Sequence, residues 1–312
     1  MNINTRIQSI VFAAGCFWGV EKYYNNMSGV IKTTSGYAGG NYDNPTYDKI
    51  LQQRSASKNI INYTEAVEVV YDESLVSTLK LVKSFWELHN PTQGDRQGTD
   101  IGNNYRSAIY YTNNRQKNIA LNTKIIYQIL LNKAGYGEIT TEIKTLEKFY
   151  RAEEYHQNYL KKNPYGYCPD HSTEVKFEEN FYKTLGELKL GKNSEAFNVA
   201  FNQHTDKRFS KKYEKFQNSG DGLFIDKISG DILFDTRDRF NSGSGWLSFF
   251  KAIDGAVIEK EDNSFGMKRI EVIAKESGIH LGHLFNDAPG GGQRFCINAT
   301  VLEFVERKSS LK

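Results

Sequence analysis

The fold of the N-terminal half is decided by residues 10–27, which read IVFAAGCFWGVEKYYNNM. Residues 10–13 form a short apolar run typical of a buried strand, and from Cys16 to Met27 the apolar residues recur at helical spacing. The predicted order is strand, Gly15, Cys16, helix. A thiol at the start of a helix lies beside unpaired backbone N–H groups and the positive end of the helix dipole, which favour its thiolate. Cys16 is therefore a candidate nucleophile, and a buried structural cysteine is the alternative.

Strand and helix patterns alternate through the rest of the first half. Residues 66–70 and 107–111 alternate apolar and polar side chains as strands do, whereas residues 75–89 and 115–132 place their apolar side chains on one face of a helix. A sheet with flanking helices follows, and we expect an α+β domain built on a mixed sheet.

The chain changes character near residue 180. Residues 172–192 are charged and are predicted to form a linker with a flanking helix. Twelve of the 26 glycines lie between Gly220 and Gly292, where they separate short alternating runs. Such spacing is typical of a mainly antiparallel β domain. The runs are residues 223–226, 232–235, 269–274 and 295–305.

The composition sets the class of protein. A chain of 312 residues with 39% hydrophobic and 25% charged residues is ordinary for globular proteins, and its length favours two domains. We expect a first domain at residues 1–178, a linker at 179–194 and a second domain at 195–312. Lys and Arg number 40 against 37 Asp and Glu, so the small net charge favours no nucleic-acid partner. No stretch reaches the roughly 18 apolar residues of a membrane-spanning helix, so we expect no membrane partner.

Three cysteines are too few for a disulfide framework or a four-thiolate zinc site, and no two of them form a Cys-x-x-Cys pair. Each of Cys16, Cys168 and Cys296 must therefore act singly. The residues before Cys16 loosely resemble a lipoprotein signal, but their apolar run is short and is interrupted by Gln8 and Ser9. We expect a cytoplasmic protein, in which free thiols stay reduced.

Seven further blocks follow the motif around Cys16. The full set is GCFWG (15–19), GYAGG (36–40), NPTY (44–47), YTEAVEV (63–69), PTQ (91–93), RQGTD (96–100), YRSAIY (105–110) and YHQ (155–157). In this order the blocks resemble the motifs of the methionine sulfoxide reductase A family. An ordered set of blocks is far more specific than one short motif.

The resemblance implies a thiol-dependent reductase of methionine sulfoxide. Cys16 attacks the sulfoxide sulfur, and Glu65 delivers a proton to the oxygen, which requires a dry pocket that keeps its carboxyl group protonated. The implied substrate contacts are Phe17 and Trp18 around the S-methyl group, Tyr37 and Tyr105 as hydrogen-bond donors to the oxygen, and Asp100 as a positioning carboxylate. Taken singly, Glu65 is more typical of a solvated carboxylate and Tyr37 of a loop aromatic.

Cys168 lies in the stretch NPYGYCP, residues 163–169, where glycine and proline indicate a loop. A thiol on such a segment suits the resolution of a sulfenic acid on Cys16 through a disulfide, as the family resemblance also implies. An incidental surface thiol is the alternative.

The C-terminal cysteine lies in an alternating stretch, RFCINATV, at residues 294–301. A period of two places Arg294, Cys296 and Asn298 on one face of a strand. The guanidinium group there favours a thiolate on Cys296. A half-buried cysteine near an exposed arginine is the alternative.

Two histidines precede this stretch and are three residues apart. Strand alternation sends His280 and His283 to opposite faces, so Gly282 must mark a bend if both reach one site. A zinc site made by His280, His283 and Cys296 is an alternative that lacks a fourth ligand. We expect no metal and no cofactor.

Four ordered blocks of the second half are NSGSGWLSF (241–249), SFGM (264–267), HLGHLFND (280–287) and RFCIN (294–298). They resemble the methionine sulfoxide reductase B family, a twisted β fold, over roughly residues 195–305. The roles that this resemblance implies are Cys296 as the nucleophile, Arg294 as its activator, Trp246 against the substrate methyl group, and His283, His280 and Asn298 as the groups that handle the oxygen and its proton.

Two positions depart from the pattern of the second family. Ser244 stands where many members carry a resolving cysteine, and Leu247 replaces a proline. A sulfenic acid on Cys296 must then be reduced by an external dithiol such as thioredoxin or by Cys168, and we favour the external route. The four cysteines of the zinc-binding subclass are absent as well.

The two families reduce opposite epimers of methionine sulfoxide. The resemblances therefore imply an enzyme that repairs methionine sulfoxide, free and in proteins, with the S epimer reduced by the first domain and the R epimer by the second. Thioredoxin is the implied reductant. The lack of paired cysteines disfavours a general thiol–disulfide oxidoreductase. A module that binds oxidised methionine without reducing it is disfavoured by the presence of Cys16, Glu65 and Cys296.

Overall fold

The computed structural model describes residues 7–54 and 59–307, and the chain divides into two compact units, Met1–Glu178 and Glu179–Lys312. The first six residues, which bear on the export signal considered above, lie outside the described residues. No helix in the described ranges is long and apolar enough to cross a membrane.

The first unit contains eight strands and five helices among its described residues. Its strands are β1 (Ile7–Ala13), β2 (Val30–Ala38), β3 (Thr64–Asp72), β4 (Arg96–Gln97), β5 (Asp100–Ile101), β6 (Ala108–Tyr111), β7 (Glu142–Thr145) and β8 (Phe149–Arg151). Its helices are α1 (Phe17–Asn25), α2 (Tyr47–Gln52), α3 (Thr78–Glu87), α4 (Asn114–Lys133) and α5 (Tyr159–Lys162).

Six of these strands form one sheet in the order β7-β6-β1-β3-β2-β8. β6 and β7 run parallel, and the other neighbours run antiparallel, which confirms an α+β domain on a mixed sheet. β1 lies inside the sheet, and its residues 10–13 are fully buried, which accounts for their continuous apolar run. Phe12 stacks on Tyr24 of α1 and on Phe85 of α3, with ring centroids 4.9 and 5.3 Å apart.

The ends of two helices follow their capping residues. α3 begins after Ser77, whose hydroxyl group accepts a hydrogen bond from the backbone N–H of Lys80. The predicted helical range 75–89 is therefore too long at its start. α4 begins after Asn113, whose side chain accepts from the N–H of Gln116, and it extends the predicted range by one residue at each end.

The second unit contains three α-helices and nine strands among its described residues. Its helices are α6 (Phe181–Gly186), α7 (Glu195–Asn202) and α8 (Lys211–Gln217). Its strands are β9 (Gly222–Asp226), β10 (Ile232–Asp235), β11 (Arg239–Phe240), β12 (Leu247–Phe249), β13 (Val257–Asp262), β14 (Arg269–Ala274), β15 (His280–Ala288), β16 (Gly292–Ile297) and β17 (Leu302–Glu306).

The strands of the second unit form two sheets, in the orders β10-β9-β17 and β11-β12-β16-β15-β14-β13. All of these neighbours run antiparallel, which confirms the predicted class. Phe249 of the larger sheet stacks on Phe234 of the smaller one with ring centroids 4.5 Å apart, and it meets Phe224 edge to face at 5.4 Å. Aromatic packing thus joins the two sheets into one core.

The run at residues 295–305 is not one strand, and that prediction is wrong. β16 ends at Ile297 and β17 begins at Leu302, because the backbone N–H of Asn298 bonds across to the carbonyl oxygen of Leu281 and the chain turns there. The sequence pattern also does not predict α7 and α8. Both helices have a serine cap, Ser194 and Ser210, which is the signal that indicates them.

Gly282 lies at a bulge between β14 and β15. In the register of the two strands Val272 faces Gly282 and Ile273 faces His280, so Leu281 is an extra residue on β15. The bulge reverses the alternation of side chains and brings the rings of His280 and His283 to 5.3 Å. A Cβ atom on Gly282 would collide with the carbonyl oxygen of Cys296. The predicted bend is confirmed, and it requires glycine.

We predict that Gly282→Ala destabilises the second unit by about 1–3 kcal/mol, because the added methyl group must displace the backbone of β16. Urea denaturation of the full chain measures the free energy of unfolding. Gly220→Ala is the matched control, since a Cβ atom there meets no other atom within 4 Å. Equal stability of the two variants would contradict the prediction.

Candidate active sites

Cys16 directly precedes α1 as its N-cap residue, and its thiol is free and partly exposed. The turn from β1 into the helix passes through Gly15, which has φ +89°, a conformation that favours glycine. A Cβ atom on Gly15 would also lie 2.8 Å from the side chain of Gln97. The predicted order of strand, glycine, cysteine and helix is confirmed.

Glu65 is buried on β3, next to this helix start. Its Oε2 accepts a hydrogen bond from the backbone N–H of Phe17 at 3.2 Å, and its side chain is 2% exposed. Burial raises the pKa of Glu65 to about 8, although the hydrogen bond from Phe17 opposes the shift. The carboxyl group is therefore largely protonated at neutral pH, as the family resemblance requires.

We expected the position of Cys16 at the helix start to favour its thiolate, but the pKa of its thiol is raised. Burial first, and then the carboxylate form of Glu65, raise the pKa of Cys16 well above its ordinary value. The backbone N–H of Trp18 lowers it, as expected at a helix start, but by less. Both Cys16 and Glu65 therefore carry their protons at neutral pH in the free protein.

Aromatic side chains lie around this pair. The rings of Phe17 and Tyr37 are 6.0 Å apart. Trp18 stacks on Tyr159 at 3.8 Å and donates a hydrogen bond from Nε1 to Nδ1 of His156 at 3.1 Å. The indole ring is thus held on one side by stacking and at its polar end by a hydrogen bond. No role in the site was predicted from the sequence for Tyr159 or for His156, which lies in the block YHQ.

Two buried phenols complete the first site. Burial raises the pKa of Tyr37 and of Tyr105, so both hydroxyl groups stay neutral donors. The Tyr37 hydroxyl donates to Glu153 Oε2 at 2.6 Å, and the Tyr105 hydroxyl lies 3.4 Å from Nη2 of Arg54. Burial works against ionisation of Glu153, but hydrogen bonds from Tyr37 and the N–H of Tyr47 outweigh it and lower its pKa.

Cys168 shares a cavity of about 240 Å³ with Cys16. A Cβ atom added to Gly19 of α1 would lie 3.4 Å from the sulfur of Cys168. The residue before it, Tyr167, donates a hydrogen bond to Oδ1 of Asp100 at 3.1 Å. The structure thus brings the predicted resolving thiol into one cavity with Cys16. Trp18, Tyr37, Glu65 and Asp100 do not line this cavity.

Cys296 lies on β16, between β12 and β15, opposite Ser248 and His283. Burial raises the pKa of Cys296, although Arg294 and a hydrogen bond with the side chain of Ser244 lower it. Arg294 therefore favours the thiolate, as expected, but desolvation of the sulfur is the larger effect and the pKa of Cys296 is raised.

Arg294 is fixed by a carboxylate that sequence analysis missed. Its Nε and Nη2 donate to the two oxygens of Asp287 at 2.7 and 2.9 Å, and its guanidinium carbon lies 4.7 Å from the centre of the Phe285 ring. The third nitrogen, Nη1, is buried and has no hydrogen-bond partner among the described residues. The guanidinium group also acts on Cys296 through its charge and a side-chain hydrogen bond, both of which lower the pKa of the thiol.

Each histidine of the second site is paired with a carboxylate. Nδ1 of His280 lies 2.7 Å from Glu271 Oε1, and Nε2 of His283 lies 2.9 Å from Asp262 Oδ2. Burial lowers the pKa of His280, against the raising effect of Glu271. Hydrogen bonds from Ser264 first, and then from His283, hold the pKa of Asp262 well below its usual range.

Trp246 and Asn298 are held by the same backbone segment. Nε1 of Trp246 donates to the carbonyl oxygen of Asp206 at 2.9 Å, and Oδ1 of Asn298 accepts from the N–H of Asp206, also at 2.9 Å. Nδ2 of Asn298 donates to the carbonyl oxygen of Leu281 at 3.0 Å. Asn298 directly follows the end of β16, so strand alternation alone does not place its side chain on one face with Cys296.

No group of three or more His, Cys, Asp or Glu side chains is arranged to hold a metal ion in the described part of the chain. Those described residues therefore do not support the zinc alternative for His280, His283 and Cys296.

Comparison with known families identifies the two units. The model of the peptide methionine sulfoxide reductase family matches residues 8–185. The chain belongs to this family. A SelR domain model matches residues 193–306 of the reductase. The reductase is therefore an oxidoreductase that joins methionine sulfoxide reductases of the A and B types.

Solved structures resemble the first unit of the reductase. Methionine sulfoxide reductase A of Corynebacterium diphtheriae is 43% identical, with 56% of this chain and 84% of that chain covered and a TM-score of 0.49. Mxr1 from Saccharomyces cerevisiae in reduced form is 31% identical, with coverages of 56% and 94% and a TM-score of 0.47. Mxr1 in complex with Trx2 is 23% identical, with coverages of 56% and 93% and a TM-score of 0.34.

We predict that Glu65→Gln stabilises the reductase by a few kcal/mol at pH 8 and has little effect near pH 4.5. The pKa of Glu65 is raised on folding, so the folded protein binds its proton more tightly than the unfolded chain does. Stability is therefore highest below the ordinary pKa of 4.5 and falls as the pH rises to about 8. Glutamine cannot ionise, so the variant avoids that loss.

Urea denaturation from pH 4.5 to 9 measures the difference between the variant and the wild type. Glu138→Gln is the control, because Glu138 is an exposed residue of the same unit. A difference that does not change with pH would contradict the prediction.

Proposed function

We propose that the reductase returns methionine sulfoxide, free and in proteins, to methionine, with the S epimer reduced in the first unit and the R epimer in the second. The observation that supports this proposal most strongly is the buried, protonated carboxyl group of Glu65 beside the thiol of Cys16. A sulfoxide oxygen must gain a proton as its bond to sulfur breaks, and this pair supplies both the attacking sulfur and the acid.

In the first unit the sulfur of Cys16 attacks the sulfoxide sulfur while Glu65 gives its proton to the oxygen. The thiol proton of Cys16 passes to the Glu65 carboxylate, and an S–S bond forms between Cys16 and the substrate. The hydroxyl group then moves from the substrate sulfur to the sulfur of Cys16 as this S–S bond breaks, so methionine leaves and Cys16 becomes a sulfenic acid. Each proton is accounted for, and Glu65 ends the step protonated as it began. The raised pKa values of Cys16 and Glu65 suit this exchange, because both groups start in their protonated forms.

The other side chains of the first site orient the substrate. Phe17 and Trp18 enclose the S-methyl group, and the neutral hydroxyl groups of Tyr37 and Tyr105 donate hydrogen bonds to the oxygen. For this purpose the Tyr37 hydroxyl turns from Glu153 to the substrate. Asp100 positions the substrate backbone or amino group.

In the second unit Cys296 is the nucleophile and His283 is the acid. His283 lies opposite Cys296 in the strand register, and Asp262 holds its ring. The free Nη1 of Arg294 stabilises the thiolate, and Trp246 packs against the methyl group. The oxygen and the nitrogen of the Asn298 amide both form hydrogen bonds with the backbone. We therefore assign Asn298 to holding two backbone segments in place: Leu281, which follows His280, and Asp206, whose carbonyl oxygen accepts the hydrogen bond from Trp246.

The two sulfenic acids are reduced by different routes. Cys168 shares a cavity with Cys16 and resolves it as a disulfide. Ser244 lies beside Cys296 in place of a thiol, so an external dithiol reduces that sulfenic acid. We propose thioredoxin as the reductant of both units. All three thiols are free, which suits a reducing compartment, and we propose the cytoplasm.

We predict that Cys16→Ser abolishes reduction of the S epimer and leaves reduction of the R epimer intact, whereas Cys296→Ser has the opposite effect. Each serine keeps the size of the side chain but is a poor nucleophile at neutral pH. Release of methionine from each purified epimer, with dithiothreitol as the reductant, is the measurement. Loss of both activities in either variant would contradict independent sites.

We predict that Cys168→Ser abolishes multiple turnover of the S epimer with thioredoxin but still releases one methionine per Cys16 in a single turnover. Turnover of the R epimer stays at the wild-type rate, because Cys296 is reduced without Cys168. Assays of each epimer with a thioredoxin regenerating system measure these rates. A loss of R-epimer turnover would show that Cys168 also reduces Cys296.

A further inference from the structure

The segment that carries Cys168 has one residue on each side of the cysteine, Tyr167 and His171, whose side chain lies close to Asp100. The Tyr167 hydroxyl donates to Oδ1 of Asp100 at 3.1 Å and lies 3.0 Å from the hydroxyl oxygen of Thr99. Nε2 of His171 lies 4.0 Å from Oδ2 of the same carboxylate. Neither Nε2 of His171 nor Oδ2 of Asp100 has a hydrogen-bond partner among the described residues.

Two glycines make room for this segment. The ring of His171 occupies the space that a Cβ atom on Gly98 would need, and Gly98 itself has φ +57°. On the other side, the sulfur of Cys168 lies against Gly19, one turn of α1 from Cys16. Together with the cavity that both cysteines line, these contacts define one docked position of the segment.

Asp100 also acts on the reacting groups. Its charge interacts electrostatically with both Cys16 and Glu65. The carboxylate therefore acts on the reacting groups through its charge and contacts the segment that carries Cys168 directly. A substrate that takes Oδ1 of Asp100 must displace the hydroxyl group of Tyr167, which bonds that atom.

We propose that Tyr167 and His171 are positioning residues, which dock the Cys168 segment on Asp100 and hold its thiol against Cys16. The inference rests on the proposed role of Cys168 as the resolving thiol. In that step the sulfur of Cys168 attacks the sulfenic sulfur of Cys16. An S–S bond forms, the S–O bond breaks, and the hydroxide leaves as water with the proton of the Cys168 thiol.

Shared use of Asp100 sets the order of events. Substrate and the docked segment exclude each other at this carboxylate, so the segment leaves as the substrate enters and docks again when methionine has left. Weaker docking therefore slows formation of the disulfide but does not slow release of methionine.

Tyr167→Phe tests this order, because it removes the phenolic hydroxyl and keeps the ring. The matched control is Tyr165→Phe, two residues earlier, where the side chain is fully exposed. Both changes are made in the full chain with Cys296→Ser, so that only the first unit reacts. Rapid quenching during one turnover measures two rates: release of methionine, and loss of the Cys168 thiol to alkylation as the disulfide forms.

We expect Tyr167→Phe to slow disulfide formation about ten-fold, as loss of a hydrogen bond to a charged group implies, and to leave methionine release unchanged. The double variant Tyr167→Phe with His171→Gln slows the disulfide step further. Tyr165→Phe changes neither rate. An unchanged thermal midpoint shows that the variants are folded.

Two results would overturn the inference: an unchanged rate of disulfide formation in both Tyr167→Phe and the double variant, or an equal slowing of both steps. A third result is distinct from these. If the parent protein forms no disulfide between Cys16 and Cys168, the proposed role of Cys168 is itself wrong, and the inference is overturned with it.

Discussion

The hydrogen bond from the N–H of Phe17 to the buried carboxyl group of Glu65 is the interaction on which the first site depends. Phe17 is the first residue of α1 and directly follows Cys16, so this bond joins the acid to the helix turn that carries the thiol. Burial around the bond keeps the acid protonated. The same burial raises the pKa of the Cys16 thiol, so in the proposed mechanism its attack on the substrate is coupled to the transfer of both protons.

The second site manages protons by a different arrangement. The acid proposed for it is a histidine held by a carboxylate, His283 with Asp262, and not a desolvated carboxyl group. The charges of this site are paired, as in the two hydrogen bonds between Arg294 and Asp287, and Arg294 also lowers the pKa of Cys296. The bulge at Gly282 is what permits this arrangement, since regular strand pairing would direct His280 and His283 to opposite faces.

Rules that depend on neighbouring residues predict the backbone conformation of these sites but not the pKa values of their side chains. The helix start at Cys16 and the bend at Gly282 follow from neighbouring residues, and both are confirmed. The raised pKa values of Cys16 and Cys296 do not follow, because they depend on how much protein surrounds each sulfur. The partners Glu153, His156, Asp262, Glu271 and Asp287 were also missed, since each is ordinary in its own stretch of sequence and gains meaning from a distant contact.

In the proposed reaction cycles, the two units leave their nucleophiles in chemically different oxidised states. A thiol beside Cys16 converts its sulfenic acid into a disulfide, whereas the hydroxyl group of Ser244 beside Cys296 can form a hydrogen bond but cannot donate electrons. In that scheme, Cys296 therefore remains a sulfenic acid until an external thiol attacks it. A reductant that serves both units must attack a disulfide in one and a sulfenic acid in the other. A dithiol meets this requirement, because its first thiol forms a mixed disulfide in either case and its second thiol then releases the protein.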